Sequence, residues 1–336
     1  MRARSRAWLV LAALALLSCS RARSSEGPGA GGPELLELRY QSLPGQVTFA
    51  ELAEDLGYLA PIKLKQVGTT ISGPQDIQSV ATGDVDFGLA FNGAILKLAA
   101  AKAPIKAVVG GYGVDAQTFS GFYVLADSPI KTPQDLLGKK IGMNTLGAHS
   151  EFMVREYLHR NGLTPAQAKQ VQLTVLPPIN TEQALRQGQI EVAALQFIFR
   201  DKALERGGLR LLFSDYELYG EFTAGCYVVN EKLLAQAPKT VAKFVEGVSK
   251  AIEWARQTPR AEVIAREEAL IKKRKRNEDG SVVKYWKSPG IAGRGGLIAD
   301  KEFKVWLDWL IRDGELTPGQ LTLSDVFTNQ FNPTTH

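Results

Sequence analysis

The chain has 336 residues, 45% of them apolar and 22% charged, so it carries enough apolar material to bury a large core and to build two lobes. That composition excludes a disordered tail and a small scaffold held by disulfides. The formal charge of +5 includes Arg2, Arg4 and Arg6 in a segment expected to be removed, and the +2 left without them gives no argument for a nucleic-acid partner.

Residues 1–18 predict a secretory signal: an arginine-rich start, then an apolar run from Ala7 to Leu17 that is too short to span a bilayer as a mature helix. The order Leu16, Leu17, Ser18, Cys19 resembles the lipobox of bacterial lipoproteins, in which the cysteine is acylated and becomes the first mature residue. Residues 19–33 are rich in Gly, Ser, Pro and Arg, the composition of a flexible tether. Gly27, Gly29 and Gly32 have the dinucleotide-fingerprint spacing there, but no strand precedes them and no helix follows.

From Leu35 strands and helices alternate. Leu35 to Tyr40 predicts a strand and Gln41 to Gln46 a turn, while Phe49, Leu52, Ala53 and Leu56 make a helical stripe ended by Gly57. Ile62 to Val67 is a second strand, followed by a helix opened by Pro74; Asp84 to Leu89 is a third, with Asn92 placed to cap the helix that follows; Ile105 to Val109 is a fourth. Alternation of this kind argues for an α/β body with a parallel sheet covered on both faces. Lys139 to Gly162 repeats the unit most clearly. Lys140 to Met143 predicts a short strand, Asn144 to Ala148 a polar turn, and His149 or Ser150 a cap for a helix carrying Phe152, Met153, Tyr157 and Leu158, with Gly162 at its end. Ser79 to Ala90 lies over Ala184 to Leu195 without a gap, Gly83 over Gly188 and Asp86 over Glu191, which suggests twin lobes. Gly110 to Val124 and Tyr219 to Asn230 read as two crossings between them. Cys226 reads as a buried small residue in a strand.

The runs LELRYQSLPGQVTFAELAEDLGYL, SGPQDIQSVATGDVDFGLA, KLAAAKAPIKAVVG and PQDLLGKKIGMNTLGAHSEFMVREYLHRNGL resemble the periplasmic solute-binding proteins of ABC transporters for nitrate, sulfonate, taurine and thiamine-precursor uptake, over about Leu35 to Thr258. The resemblance implies a type II periplasmic-binding-protein fold: two lobes, each with a mainly parallel sheet flanked by helices, joined by two hinge crossings, with residues 34–115 plus 225–336 in one lobe and 116–224 in the other. It implies a monomer without cofactor that takes a small-molecule solute, a sulfonate-like anion or a pyrimidine-like heterocycle, and delivers it to ABC permease subunits from the periplasmic face of a membrane, held there by its lipid anchor. Residues 261–296 depart from the family's pattern.

In open α/β sheets ligands sit beyond the carboxyl ends of the strands, at helix N-termini. Those positions are Gln41, Ser42, Thr70, Ser72, Phe91 and Asn92 in one lobe and Asn144, Thr145, His149, Ser150, Gln196 and Phe197 in the other, with Thr223 on the returning strand. They are neutral donors and aromatics, suited to a small oxyanion or a planar polar ring, although each Ser, Thr or Asn is equally suited to capping its helix. An enzyme on the same scaffold is the alternative, as is a ligand-sensing domain for a signalling partner. Relatives that make the thiamine pyrimidine carry a cysteine-rich iron motif, whereas this chain has Cys19 and Cys226. The sequence shows no nucleophile elbow, phosphate loop or metal-ligand spacing, its histidines being His149, His159 and His336. Lys272 to Arg276 (KKRKR) reads as an exposed helix end, with anionic lipid headgroups as an alternative use, and the acid pairs Glu267/Glu268 and Glu278/Asp279 read as solvated surface.

Overall fold

The structure is a computed structural model that describes residues 31–335. The expected signal, most of the tether and Cys19 lie outside the described residues. The first lobe begins with β1 Glu37–Ser42, α1 Phe49–Asp55, β2 Lys63–Thr69, α2 Gly73–Thr82, β3 Phe87–Phe91, α3 Asn92–Ala100 and β4 Ile105–Val114. The second contains β5 Ser120–Leu125, β6 Lys140–Met143, α4 His149–Arg160, α5 Pro165–Ala168, β7 Gln172–Val175, α6 Pro178–Arg186, β8 Val192–Gln196, α7 Phe197–Glu205, β9 Leu209–Ser214 and α8 Asp215–Tyr219. The chain then returns through β10 Phe222–Asn230 and ends in α9 Glu231–Gln236, α10 Pro238–Gln257, α11 Arg260–Arg274, α12 Lys301–Arg312 and α13 Leu323–Val326.

Local chemistry explains most of these boundaries. Thr48 and Glu51 form a reciprocal capping box that starts α1, and Ser72 with Pro74 in the first turn starts α2. Gly83 and Gly188, paired by the internal repeat, both adopt positive φ (82° and 68°) where α2 and α6 stop, a conformation glycine enters without steric cost. The acids that follow them have matching tasks. Asp86 accepts the main-chain N–H of Arg39 on β1 (2.6 Å) and Glu191 that of Lys140 on β6 (2.8 Å), so each copy ties the start of its strand to another strand of its own lobe.

The sheets are mixed rather than purely parallel. β1 and β2 are parallel, as are β6 with β7 and β6 with β8; β10 runs antiparallel between β3 and β4, and β5 antiparallel between β8 and β9. The reason is topological. β5 and β10 are the strands by which the chain enters each sheet from the other, and a strand arriving from the crossing end must run against its neighbours. The first lobe carries two sheets, β1-β2 and β3-β10-β4, and the second lobe one, of order β7-β6-β8-β5-β9.

The lobes share apolar packing at their junction. Trp306 of α12, fully buried, meets Phe91 (ring centroids 4.8 Å), Phe152 of α4 (6.0 Å), Tyr219 (4.8 Å) and Phe222 (5.8 Å). Phe91 and Phe152 are themselves edge to face at 5.0 Å. One ring cluster therefore joins α4 of the second lobe to β3 and α12 of the first, contributing packing beyond the area it buries.

Candidate ligand-binding site

A cavity of about 470 Å³ lies between the two lobes. The first lobe contributes the loop Leu43 to Phe49 after β1, Thr70 and Ile71 after β2, the end of β3, and Gly111 to Gly113 of β4. The second contributes Asn144, Thr145, Ala148 and His149 between β6 and α4, and Gln196 to Phe199 between β8 and α7. Both sets are strand carboxyl ends running into helices, where an α/β sheet leaves room for a ligand. At one rim the lobes touch, with Ser72 Oγ and Thr145 Oγ1 2.9 Å apart and Asn144 Nδ2 donating to the Ile71 carbonyl at 2.9 Å.

Of the residues singled out in the sequence, Thr70, Phe91, Asn144, Thr145, His149, Gln196 and Phe197 lie in the cavity wall. The other six do not. β1 runs on to Ser42, so Gln41 and Ser42 are strand residues rather than turn residues: the Gln41 amide donates to Ser79 Oγ (3.2 Å), and Ser42, fully buried, accepts from Gln66 (3.0 Å). Ser72 caps α2 and reaches Thr145. Asn92 is not a cap. Phe91 holds that position, and Asn92 Nδ2 donates to the carbonyls of Thr223 (2.8 Å) and Glu302 (3.0 Å), tying α3 to β10 and α12. Ser150 is buried and accepts from Gln196 Nε2 (3.2 Å), so it positions that amide. Thr223 is buried in β10, where its N–H donates to Glu302 (2.9 Å).

His149 does not cap α4 either, since Ala148 occupies that position and its side chain makes no cap hydrogen bond. Only 3% exposed, the imidazole stacks on Phe91 (5.1 Å, 12° between planes) and lies 6.1 Å from the Tyr112 ring. Its Nε2 is 3.1 Å from Asp215 Oδ2, and that buried carboxylate accepts the Ser120 N–H at 3.0 and 3.1 Å. Phe197 has φ of 43°, a left-handed backbone that a bulky side chain enters at a cost of about 1–3 kcal/mol, and it opens α7 with its ring edge to face with Tyr112 (5.9 Å). Burial lifts the Tyr112 hydroxyl well above the usual phenol range.

The cavity roof is the part that sequence reasoning missed. After α11 the chain runs as a strap over the cleft, and Asp279, Val282, Val283, Tyr285, Trp286 and Lys287 line the cavity together with Glu267 of α11. The KKRKR run ends α11 with Lys272, Lys273 and Lys275 exposed, but its two arginines turn inward. Arg274, its side chain 5% exposed, lies 2.8 Å from Glu51 and 3.3 Å from Glu278, while Arg276 reaches Glu51 (3.4 Å) and the Tyr40 hydroxyl (3.1 Å). Lys273 remains exposed beside Asp55. Nor are the acids simply surface: Glu278 belongs to this buried cluster, and Glu267 is buried, its carboxyl pushed up to about 8 by burial. On the far side the strap meets the second lobe through Lys287 to Asp201 (3.0 Å), Lys284 to Glu205 (3.4 Å) and the Tyr285 hydroxyl on Glu205. The signal available in the sequence was Val282, Val283, Tyr285 and Trp286, an apolar and aromatic run inside a segment otherwise polar.

Two lobes crossed twice by one chain, with a cavity at their facing strand ends, define the periplasmic-binding-protein fold; the solved alkanesulfonate-binding protein SsuA from Xanthomonas axonopodis pv. citri bound to MOPS shares it with a TM-score of 0.66 at 19% identity, over 88% of this chain and 98% of that one. The sequence model of the NMT1/THI5-like family matches residues 47–262, and the chain belongs to that family. It is 28% identical over 177 residues to a putative aliphatic sulfonates-binding protein of Escherichia coli K12, covering 52% of this chain and 54% of that protein. It is 27% identical over 239 residues to a 4-amino-5-hydroxymethyl-2-methylpyrimidine phosphate synthase of Candida albicans, covering 66% and 67%. The matched stretch thus spans about half the length of the sulfonate relative. Among the described residues no helix is long and apolar enough to cross a membrane.

Proposed function

We propose that the chain is an exported receptor that takes a small organic solute into the cavity between its lobes and delivers it to an ABC-type permease. The observation that carries this reading is the cavity itself, walled by strand ends of both lobes and closed at one rim by the Ser72–Thr145 contact. A molecule held there touches both lobes and so favours their closed arrangement by its differential contacts. Of the solutes the sequence pointed to, a flat heterocycle suits the wall better than a sulfonate or nitrate. The wall is rich in rings, and its cation Lys287 is already neutralised by Asp201. A thermal-shift screen across sulfonates, nitrate, taurine, pyrimidines and amines tests the reading, because a ligand at 100 times its dissociation constant stabilises by about 2.7 kcal/mol. Ser72→Ala combined with Thr145→Ala should weaken the best hit about fivefold, one hydrogen bond being worth about 1 kcal/mol. A screen in which nothing stabilises the protein refutes the receptor.

The kinship with a pyrimidine phosphate synthase, and His149 in the wall with the buried Asp215 behind it, favour a second reading, an enzyme acting on a similar solute. The hit recovered chemically unchanged after prolonged incubation rules this out. The resemblance of Leu16 to Cys19 to a lipobox supports anchoring of the receptor to a membrane through Cys19. Cys19→Ala should therefore move the protein from the membrane to the soluble fraction, and retention in the membrane would remove the anchor from the account.

A further inference from the structure

Glu267 lies on α11, at the edge of the segment whose role the sequence left open. It is 6% exposed and lines the cavity, and among the described residues its carboxyl makes no hydrogen bond and no ion pair. The other wall carboxylates are engaged: Asp201 holds Arg200 (2.8 Å) and Lys287 (3.0 Å), and Asp279 accepts the Ser281 N–H (2.9 Å) and lies 3.6 Å from Lys202. The charges that bear on Glu267 are Arg274 and Glu51, and these are paired with each other at 2.8 Å. A buried carboxyl left without a partner is unfavourable in proportion to its lost hydration, and a folded protein satisfies nearly all such groups. Here the partner has to come from the cavity. Around that cavity stand Tyr112, Phe197, Tyr285 and Trp286, whose ring faces attract cations and stack on flat bodies.

Resting on the receptor reading, we infer that the solute is an organic cation: a flat apolar body bearing a protonated amine or amidine whose N–H groups donate to the Glu267 carboxylate while its rings stack on the aromatic wall. Burial keeps the empty-cavity carboxyl near a pKa of about 8 and so mostly protonated at neutral pH. A cation seated against it favours the ionised form, and the proton leaves to solvent.

Three probes that share one ring system separate the possibilities by titration calorimetry at neutral pH: tryptamine, tryptophol and the corresponding indolylethanesulfonate. Tryptamine should bind about tenfold or more tightly than either of the others, the increment expected for a charge-assisted hydrogen bond, and its heat should vary with buffer as a proton is released. Glu267→Gln should abolish that preference with melting temperature and circular dichroism intact, and Glu267→Asp should retain part of it. The inference is overturned if the sulfonate binds most tightly, if Glu267→Gln leaves tryptamine affinity unchanged, or if none of the three binds at millimolar concentration. A tight sulfonate would still leave the receptor standing, whereas the receptor falls only with the wider screen.

Discussion

Replacing Arg274 by methionine should lower the stability of the protein by about 3–5 kcal/mol, because removing one partner of a buried ion cluster strands the others. Glu51 and Glu278, both nearly inaccessible, would be left to Arg276 alone, at 3.4 and 3.9 Å. The loss should also reach the cavity. Arg274 Nη1 donates to the Gln46 carbonyl (2.8 Å) and Glu278 accepts the Gly45 N–H (2.8 Å), so the wall loop after β1 hangs from the same cluster as the strap. Urea unfolding should show a lower midpoint with an unchanged slope, and Arg274→Lys should recover little, since an ammonium cannot serve both carboxylates and the carbonyl in one plane. A midpoint within error of the parent would show the cluster to be incidental.

The second large effect is steric. A Cβ built on Gly113 would stand well inside contact distance of the main-chain oxygens of Gly290 and Phe222, atoms that cannot rotate aside as a side chain would. Gly113→Val should therefore lift the end of the strap from β4 or break the pairing of Gly113 with Thr223, at a cost of about 1–3 kcal/mol. Amide exchange should quicken in 282–290, and the affinity for any screened ligand should fall about tenfold or more as Tyr285 and Trp286 withdraw. Unaltered exchange in that stretch would mean that the strap does not depend on this close approach.

The repeated β-α units were legible because their signals are local. Thr48 with Glu51, Pro74, Gly83 and Gly188 act within a few residues of the boundaries they set, and helical spacing placed α1 and α4 correctly. The wall of the second lobe was read well where the strand ended as expected, at Met143, which delivered Asn144, Thr145 and His149 to the cavity. In the first lobe β1 continued past Tyr40 because pairing with β2 extends to Ser42 opposite Thr69, a tertiary contact no turn propensity could announce. Asn92 failed for a related reason. Its amide suits a cap, but the carbonyls of Thr223 and Glu302, brought up by β10 and α12, competed successfully for it. The strap was the hardest to read, since Arg274, Arg276 and Glu278 resemble hydrated surface until Glu51, from the first helix of the chain, is folded against them.

The ring cluster around Trp306 bears on how cargo gets in and out. Swinging the halves apart like jaws would part Phe152 from Phe91 and Trp306, forfeiting several contacts each worth about 0.5–1.5 kcal/mol beyond the area involved. Peeling back the stretch 276–289 breaks the exposed tie of Lys284 to Glu205, worth about 0–1 kcal/mol, but also the buried pairing of Arg276 and Glu278 and the packing of Val282 and Val283. Either route parts buried contacts, so cargo exchange demands more than the loss of surface ion pairs.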